Sequence, residues 1–579
     1  MRIRLATVAL TLLSTSYAHA DPIDDVVKAE MQRRQIPGLS IAIIDGGKIV
    51  KAQGYGVTER GAGTAVTPST LFQAGSVSKS VAALGALHLV SQGKLALDED
   101  VNQKLLTWKV PDNQFTVDKK VTLRGLLSHS AGLTVHGFPG YASDVPVPTV
   151  VQVLDGAKPA NTAPVRVDFT PGSKWRYSGG GYTVMQQLVA DVTGKPFAAV
   201  MQQAVLKPMG MTASSFAQPP AAATARATAA GYYADRTPVA GRWHIYPEMA
   251  AAGLWTNPSD LARFAIGIQR SLAGTANPVI PAALTRVMLT DQKDGDGLGV
   301  FLKGAGKTLE FSHGGRDEGF DTLLRAFAET GQGVVIMINA NDNSMMMQRI
   351  SAAVARQYHW PASATPANAS AAHVKLDDAT LERYAGRYNI GNNRLVALTP
   401  KHGGLVTLSD GMEDEEFTPV GPLQFQSDSR DATWSIRLDA RGDVIGGILT
   451  GGGHEQPIAR VGPLMHTLKP MADAKPARTA AVKTVLDAAA RGGSALADSP
   501  LATAGVKTDF GTRKIEELSG LESLTLLHEQ DVSAQPLERH GGKVDKVLAY
   551  KAMFGGQPRY LLAYLTADNL FTDYDVVDD

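Results

Sequence analysis

Runs of apolar residues separated by short polar turns predict the first elements of the chain. Leu39–Ile44 and Lys48–Gly54 flank a glycine turn, a pattern typical of a β-hairpin. Phe320–Glu329 and Gly333–Asn341 predict a second hairpin, and a helix is expected from Ser344 to Gln357. Mostly helical patterns lie between the hairpins, so this part of the chain mixes strands and helices.

One predicted helix between the hairpins, Val77–Ser91, has no polar face. Its apolar positions point in nearly every direction around the axis: Val81, Ala82, Ala83, Leu84, Ala86, Leu87, Leu89 and Val90. A helix that is apolar all round belongs in a protein interior. We therefore expect this helix to be central and buried.

Short strands separated by turns dominate the second part of the chain. Five are predicted, at Leu395–Leu398, Leu405–Leu408, Leu423–Gln426, Trp434–Leu438 and Ile445–Thr450. Strands at such even spacing favour a small antiparallel barrel or sandwich.

The last part combines a helix with strands. A helix is predicted at Ala480–Ala490, and strands at Ser523–His528, Lys546–Met553 and Tyr560–Leu565. This pattern indicates a small α+β module. The closing segment Thr572–Asp579 is acidic and is expected to be exposed by its composition.

Two stretches without apolar periodicity divide the chain. Pro361–Ala372 is rich in Pro, Ala and Ser, and Lys469–Arg478 is similar but more charged. They predict three domains, at about 21–360, 373–467 and 479–579.

Composition narrows the classes of function. With 44% hydrophobic and 19% charged residues, the chain is typical of a soluble globular protein. Lys plus Arg and Asp plus Glu number 56 each, so no charge excess favours nucleic acid or an anionic membrane. The absence of cysteine excludes a thiol nucleophile, and the 13 histidines form no HExxH motif. We expect no metal and no cofactor.

Residues 1–20 have the layout of a secretory signal. Arg2 and Arg4 precede a short apolar run, and Ala18-His19-Ala20 supplies the small residues of a cleavage site. Cleavage near Ala20 would deliver the protein to the periplasm or outside the cell. No apolar run reaches the roughly 20 residues of a membrane span.

A serine and a lysine stand three residues apart where the apolar helix begins. This S-x-x-K spacing puts Ser76 and Lys79 on one helical face. A serine nucleophile needs a base beside it, and a lysine serves when burial lowers its pKa from about 10.4 toward about 7–8. The Ser76 amide would face developing negative charge. Alternatively, Ser76 caps the helix and Lys79 is solvated.

Two further strings could complete a site. Tyr177 precedes a glycine string that begins two residues later, at Gly179. A turn there would bring the phenol close to a substrate and give the glycine a positive φ. His313, Gly314 and Gly315 end the predicted strand Leu309–Ser312. Their glycines would let a ligand lie against the strand edge. The next amide, that of Arg316, would be a second oxyanion donor. Ordinary packing of Tyr177 and a β-bulge at the glycines are the alternatives.

The three strings together resemble the serine β-lactamase and penicillin-binding-protein superfamily. Its motifs run in the same order: S-x-x-K, then Y-x-N, then K-T-G or H-x-G. The flanking phrases extend this resemblance over about 25–360: Thr70–Ser76, Gly93–Asp98, Leu126–Leu133, Lys207–Met211, Ala252–Leu261 and Gly319-Phe320. His129 falls in a phrase that resembles a structural loop of that superfamily, so it is not assigned to catalysis.

The resemblance implies a mixed α/β catalytic domain of the β-lactamase and DD-peptidase type, with an antiparallel sheet covered by helices on both faces. It implies an acyl-enzyme on Ser76, with Lys79 and Tyr177 handling protons. Gly179 replaces the motif's Asn, and His313 replaces the usual β-lactamase Lys. These departures favour the esterase and D-aminopeptidase branch, acting on small esters or peptides. A β-lactamase, a D-Ala-D-Ala carboxypeptidase and a silent envelope binding protein remain the alternatives, and the oligomeric state is open.

The second domain opens with a phrase of its own. Glu382–Tyr388 resembles the start of the lipocalin-like barrel that follows many such hydrolases. The resemblance implies a barrel that borders the active-site mouth, without implying a lipid ligand.

Overall fold

The computed structural model describes residues 21–61, 64–275, 277–361, 373–390, 394–409, 412–427, 432–451, 454–511, 514–535 and 537–577. The predicted signal, residues 1–20, and nearly all of the first predicted linker lie outside the described residues. None of the helices in the described part of the chain has the length and apolar character that crossing a bilayer requires.

A six-stranded antiparallel sheet organises the first region, in the order β2-β1-β8-β7-β6-β5. The strands of this region are β1 (Gly38–Asp45), β2 (Lys48–Gly56), β3 (Phe72–Gln73), β4 (Trp255–Thr256), β5 (Phe301–Lys303), β6 (Glu310–Asp317), β7 (Phe320–Phe327) and β8 (Gly333–Ile338). Both predicted hairpins are present, and they join because β1 pairs with β8.

Eleven described helices surround the sheet. They are α1 (Pro22–Arg33), α2 (Ser78–Ser91), α3 (Leu123–Leu127), α4 (Val150–Asp155), α5 (Gly179–Thr193), α6 (Phe197–Met201), α7 (Ala222–Arg226), α8 (Met249–Ala252), α9 (Pro258–Leu272), α10 (Ala282–Met288) and α11 (Met346–Gln357). As predicted, α2 is central, with all but its last residues buried.

Alternation along β1 explains why helices lie on both faces. Ile41 and Ile43 pack into the apolar cluster that holds α1 and α11, whereas Ala42 and Ile44 pack into the larger cluster around α2 and α9. Successive strand residues point to opposite faces, so a strand buried on both sides is apolar at every position. Both faces therefore contribute to the core.

Strand β6 is longer than predicted. It continues through His313–Asp317, so the glycines lie inside the strand rather than after it. β7 pairs with its whole length, but β5 pairs only as far as Ser312. The free edge beyond Ser312 instead packs against the 3₁₀ turn Gly75–Val77.

The second region is a closed barrel of eight antiparallel strands, β9 to β16. Helix α12 (Asp378–Tyr384) precedes β9 (Gly386–Ile390), β10 (Arg394–Lys401), β11 (Gly404–Ser409), β12 (Met412–Gly421), β13 (Gln424–Ser427), β14 (Ala432–Leu438), β15 (Val444–Gly451) and β16 (His454–Gly462). Of the two predicted alternatives, a barrel or a sandwich, the structure confirms the barrel. The apolar pattern predicted five of its strands and missed β9, β12 and β16.

The third region is an α+β module, as predicted. It comprises α13 (Pro476–Arg491), α14 (Ala504–Phe510), β17 (Leu521–Asp531), β18 (Glu538–Arg539), β19 (Gly542–Lys543), β20 (Lys546–Phe554), β21 (Gln557–Leu565) and β22 (Phe571–Val577). Its main sheet has the order β17-β20-β21-β22.

Two features of the third region differ from expectation. The second predicted linker, Lys469–Arg478, runs into α13, which already begins at Pro476. The acidic closing segment is strand β22, where Asp573 and Asp575 pair with the buried Arg539 at 2.8 and 3.0 Å. Acidic composition suggested exposure, but a buried arginine supplies the partner that burial of a carboxylate requires. The domain boundaries stay predictions.

Candidate active site

Ser76 lies in the 3₁₀ turn Gly75–Val77, which leads directly into α2. The turn approaches β6 so closely that a Cβ on Gly75 would lie 2.4 Å from the Arg316 nitrogen, and one on Gly315 would lie 2.0 Å from the Ala74 oxygen. Only glycines fit both positions, and Gly75 also has a φ of +51°. The close approach places Ser76 beside the β6 edge, where its side chain is partly exposed.

Lys79 is the group best placed to accept a proton from Ser76. Its Nζ lies 2.9 Å from the Ser76 Oγ and donates to the Ala251 carbonyl at 2.8 Å. Only 2% of Lys79 is exposed. Burial lowers its pKa to about 7, although Asp317 opposes part of the shift. A large fraction of Lys79 is therefore neutral near pH 7, as a general base must be.

Tyr177 faces the same pair of residues from the residue before the N-cap of α5. Its ring centroid lies 4.9 Å from the Lys79 Nζ. Burial raises the pKa of the Tyr177 phenol, and a hydrogen bond with Ser76 offsets only part of the rise. The phenol is therefore protonated at neutral pH. In the free site Tyr177 is therefore a neutral phenol with a proton to donate.

His129, for which the sequence predicts no catalytic role, positions Tyr177. The two rings are in contact, with centroids 4.2 Å apart and their planes tilted by 33°, and the Ser178 amide donates to His129 Nδ1 at 3.0 Å. Burial holds the pKa of His129 well below its usual value, so the ring is neutral. The histidine thus fixes the Tyr177–Ser178 backbone and one face of the phenol.

Gly179 differs from its prediction in two respects. It is the first residue of α5, capped by Ser178, and its φ is not in the left-handed region. Nor does the missing side chain leave open space: a Cβ there would lie 3.0 Å from the His136 carbonyl oxygen and 3.0 Å from the Phe138 ring. The segment around His136–Phe138 occupies the room that the motif's Asn would need.

The third string lines the opposite wall of the site. His313 is buried, its Nδ1 lies 2.5 Å from the Gly314 carbonyl oxygen, and burial lowers its pKa to about 3. The ring therefore carries no charge at neutral pH. Gly314 is exposed, and the Arg316 backbone borders the turn of the nucleophile.

The structure thus brings all three predicted strings together around Ser76. It adds three groups that the motifs did not indicate: the Ala251 carbonyl, the ring of His129 and the carboxyl of Asp317. Of these three residues, only His129 lies in a sequence segment, Leu126–Leu133, that resembles the superfamily. In the described residues, no three His, Cys, Asp or Glu side chains are grouped closely enough to hold a metal ion.

The sequence profile of the Beta-lactamase family matches residues 23–358, more than half of the chain. Two curated relatives are esterase EstB of Burkholderia gladioli, 30% identical over 34% of this chain and 50% of its own length, and a β-lactamase of Pseudomonas fluorescens, 29% identical over 42% and 62%. The chain spans 38–62% of the length of the curated relatives it matches.

One solved structure is similar to a larger part of this chain than the family profile matches. The octameric penicillin-binding protein homologue from Pyrococcus abyssi aligns with 75% of this chain and 99% of its own, with a TM-score of 0.52 and 20% identity. At that identity the likeness concerns the fold. It confirms the expected fold class.

Proposed function

The chain belongs to the β-lactamase family, and from this we propose that it is a serine hydrolase that cleaves small esters, peptides or amides through an acyl-enzyme on Ser76. The observation that carries the proposal is the Lys79 Nζ, 2.9 Å from the Ser76 Oγ, with a pKa lowered to about 7 by burial. Nucleophilic attack by a serine requires a base beside it, and a neutral amine in hydrogen-bond contact with a partly exposed serine meets that requirement.

Acylation follows from this geometry. The Ser76 Oγ attacks the substrate carbonyl carbon while its proton passes to neutral Lys79, which becomes an ammonium. The carbonyl oxygen gains the negative charge and is held by the amides of Ser76 and Arg316, at the turn that packs on β6. Collapse of the tetrahedral intermediate expels the alcohol or amine, and Tyr177, protonated because its pKa is raised, donates the proton that this leaving group needs.

Deacylation reverses these roles. A water molecule attacks the acyl carbon and gives one proton to the Tyr177 phenolate that acylation left, and the Lys79 ammonium returns a proton to the Ser76 Oγ as the acid product leaves. The pair ends in its starting protonation state.

Labelling with a fluorophosphonate followed by peptide mapping tests the nucleophile. We expect the label on the peptide that contains Ser76 and no label on Ser76→Ala. Ser91, at the end of α2 and outside the site, offers a matched control. Ser91→Ala should label like wild type, and labelling that survives Ser76→Ala would overturn the assignment.

Selectivity should favour esters over β-lactams. The neutral His313 supplies no cation for a β-lactam carboxylate, and Gly179 supplies no amide for the substrate. EstB, named an esterase, is among the relatives and supports the ester branch. We expect good turnover of p-nitrophenyl acetate and poor turnover of nitrocefin. High nitrocefin turnover would favour the β-lactamase alternative. Release of D-alanine from a D-Ala-D-Ala peptide would favour the carboxypeptidase alternative.

A silent binding protein is the alternative from another class. The intact set Ser76, Lys79 and Tyr177 argues against it. Turnover of p-nitrophenyl acetate that disappears in Lys79→Ala would exclude it.

Export to the periplasm or outside the cell belongs to the same proposal. The charged start, short apolar run and small residues before Asp21 support it. Fractionation of cells expressing the full chain, with N-terminal sequencing of the mature protein, tests export.

A further inference from the structure

A cleft of about 340 Å³ lies beside the nucleophile, and the end of β6 forms one of its walls. The segment 136–139, residues 316–318 and Asn341 come from the catalytic region, and Asp509 comes from α14 of the third region. Because β5 pairs with β6 only as far as Ser312, β7 alone supports β6 within the sheet beyond that residue. The position of the Arg316 amide, the second oxyanion donor in the proposed mechanism, therefore depends on contacts outside the sheet as well.

The side chain of Arg316 provides such contacts, although about half of it is exposed. Its Nε and Nη2 donate to the two carboxylate oxygens of Asp321, directly opposite on β7, at 2.7 and 2.5 Å. Its Nη1 donates to the Asn343 Oδ1 at 2.7 Å, and its Nη2 also donates to the Asp342 carbonyl oxygen at 2.9 Å. A planar guanidinium has its donors in fixed directions, so these hydrogen bonds leave it little freedom to move. The end of β6 is thus tied to β7 and to the segment that follows β8.

Asp321 and Asn341 form the inner part of this network. Asp321 is 3% exposed and also accepts from the Asp342 amide at 2.9 Å. Asn341 holds the turn after β6, since it donates to the Asp317 carbonyl and accepts from the Gly319 amide, both at 2.8 Å. Hydrogen bonds to a charged group are strong, and burial strengthens them further. The network therefore fixes both the residue that carries the oxyanion donor and the turn that follows it.

A buried aspartate connects this network to the barrel. The Oδ1 of Asp342 accepts from Arg34 at 2.9 Å and from Arg236 at 3.0 Å, and all three side chains are buried. Arg34 also donates to the carbonyls of Ser409 and Met412, at 2.8 and 3.1 Å, where β11 ends and β12 begins. Breaking a buried ion pair leaves an uncompensated charge, so such a pair keeps its geometry. A continuous chain of polar contacts therefore runs from the barrel to the end of β6.

We propose that Arg34, Asp342 and Asp321 are positioning residues that hold the Arg316 amide in the oxyanion hole, and that the barrel supports catalysis by anchoring them. The inference rests on the proposed acyl-enzyme mechanism and adds to it residues whose side chains are buried. An oxyanion donor is effective only when it is already aimed at the oxygen, and a displacement of about 1 Å can cost about 100-fold in rate. Loss of an anchor should therefore lower the rate although the amide itself remains.

The test compares kcat/KM for p-nitrophenyl acetate with the Kd of phenylboronic acid, which forms a tetrahedral adduct on a serine oxygen and mimics the transition state. Arg316→Ala keeps the backbone amide, and we expect kcat/KM to fall about 10–100-fold and the boronate Kd to rise by the same factor. Arg34→Met should change both quantities about 3–10-fold. Asp342→Asn breaks the same link at its other end and should act in the same direction. The pH midpoint of the rate should keep its wild-type value in every variant, because the contacts of Lys79 are unchanged.

Arg349→Met is the matched control. Arg349 is also a buried arginine between the catalytic region and the barrel, but its hydrogen bonds go to Glu30 and Asp414. This variant should lose similar stability in urea unfolding and keep the wild-type kcat/KM and boronate Kd. Arg316→Lys keeps the positive charge but lacks the planar fork, so it should recover only part of the loss. Full recovery would show that the charge alone acts on the oxyanion and would overturn the positioning role.

The outcomes separate this inference from the proposed function. If the wild type hydrolyses the ester and binds the boronate, but Arg316→Ala and the barrel-link variants keep both values or shift the pH midpoint, the positioning network is wrong and the hydrolase remains. An equal loss in Arg349→Met would also overturn the network, because loosening of the junction would then explain the effect. If the wild type neither hydrolyses the ester nor binds the boronate, the proposed function is wrong and the inference is wrong with it.

Discussion

At the scale of single residues, the chemistry depends on how burial changes charge. Lys79, His313 and Tyr177 share one small volume, and burial favours the neutral form of each. The site thus holds a neutral amine and a neutral phenol side by side. This arrangement needs no carboxylate in contact with the nucleophile.

The activity should therefore depend on pH through Lys79. Because only the neutral amine accepts the Ser76 proton, kcat/KM for p-nitrophenyl acetate should rise as pH passes through about 7 and level off above it. Lys79→Ala should reduce kcat/KM by about 10²–10⁴-fold.

Asp317→Asn provides the control for this assignment. The Asp317 carboxyl raises the pKa of Lys79, so its loss should move the midpoint to lower pH. A rate that stays flat between about pH 5.5 and about pH 8.5 in wild type would contradict Lys79 as the base.

Gly179 provides a prediction about packing. A methyl group at this position would press on the His136 carbonyl and the Phe138 ring, so Gly179→Ala should destabilise the protein by about 1–3 kcal/mol in urea unfolding. Gly181→Ala is the matched control in the same helical turn. Its new methyl would lie 3.7 Å from the nearest atoms, and alanine favours helix, so we expect no loss of stability.

Gly179→Asn follows the same reasoning with a larger group. This variant should gain nitrocefin turnover only if Phe138 moves, and its ester turnover should fall in either case. A variant with wild-type stability and wild-type ester turnover would show that the segment at His136–Phe138 is not fixed.

The sequence could predict Ser76 and Lys79 because their spacing of three encodes their contact. Tyr177 could be predicted only together with the other strings. Asp317 and the Ala251 carbonyl could not, since they approach Lys79 through β6 and α8, which are far from it in the chain. No local pattern carries such information.

At the scale of elements, helix α5 connects stability to catalysis. The Ser178 Oγ accepts from the Gly181 amide at 2.9 Å and donates to the Thr134 carbonyl at 2.8 Å. Tyr177 is the residue before this cap. The position of the phenol therefore depends on how the helix begins.

Ser178→Ala should cost about 1 kcal/mol of stability and also lower kcat about threefold or more, because the phenol loses its fixed position. Thr149→Ala removes the N-cap of α4, whose hydroxyl accepts from the Gln152 amide. This control should lose similar stability and keep full kcat. Equal kcat in both variants at matched stability would refute the connection.

Strands with polar sequences show why the element pattern was incomplete. β12 carries acidic residues, and the apolar pattern therefore missed it, yet Asp414 in this strand is buried against arginines of other elements. β6 extends past Ser312 because the turn at Gly75 covers its edge. In both cases the cause is a distant partner rather than the local sequence.

At the scale of the whole molecule, buried ion pairs join the catalytic region to the barrel. Arg349 of α11 binds Glu30 of α1 through two hydrogen bonds and reaches Asp414 of β12 at 2.6 Å. Arg34 donates to the Ser409 carbonyl at 2.8 Å. The two regions are therefore expected to unfold together.

Asp414→Asn should destabilise this junction by about 3–5 kcal/mol, because Arg349 would keep its buried charge and lose one partner. Burial alone would raise the pKa of Asp414, but Arg349 and Arg394 outweigh it and lower the pKa. Stability from this group is thus complete above the unfolded pKa near 4 and is lost as pH falls through the folded value.

Urea titrations from neutral to acid pH measure both effects. Glu413→Gln, one residue away in an exposed pair with Lys401, should change stability by no more than about 0.5 kcal/mol. A small effect of Asp414→Asn, or separate transitions for the two regions of the wild type, would contradict a common unfolding unit.

The position of Asp509 has a consequence for protein synthesis. Ser76, Lys79, Tyr177 and β6 have all left the ribosome long before α14 is made. His540, which contacts Asp509, and Asp573, which contacts His540, follow still later. A nascent chain can therefore fold its nucleophile while one wall of the cleft is missing. The surroundings of Asp509 are complete only when the last strand of the chain is in place.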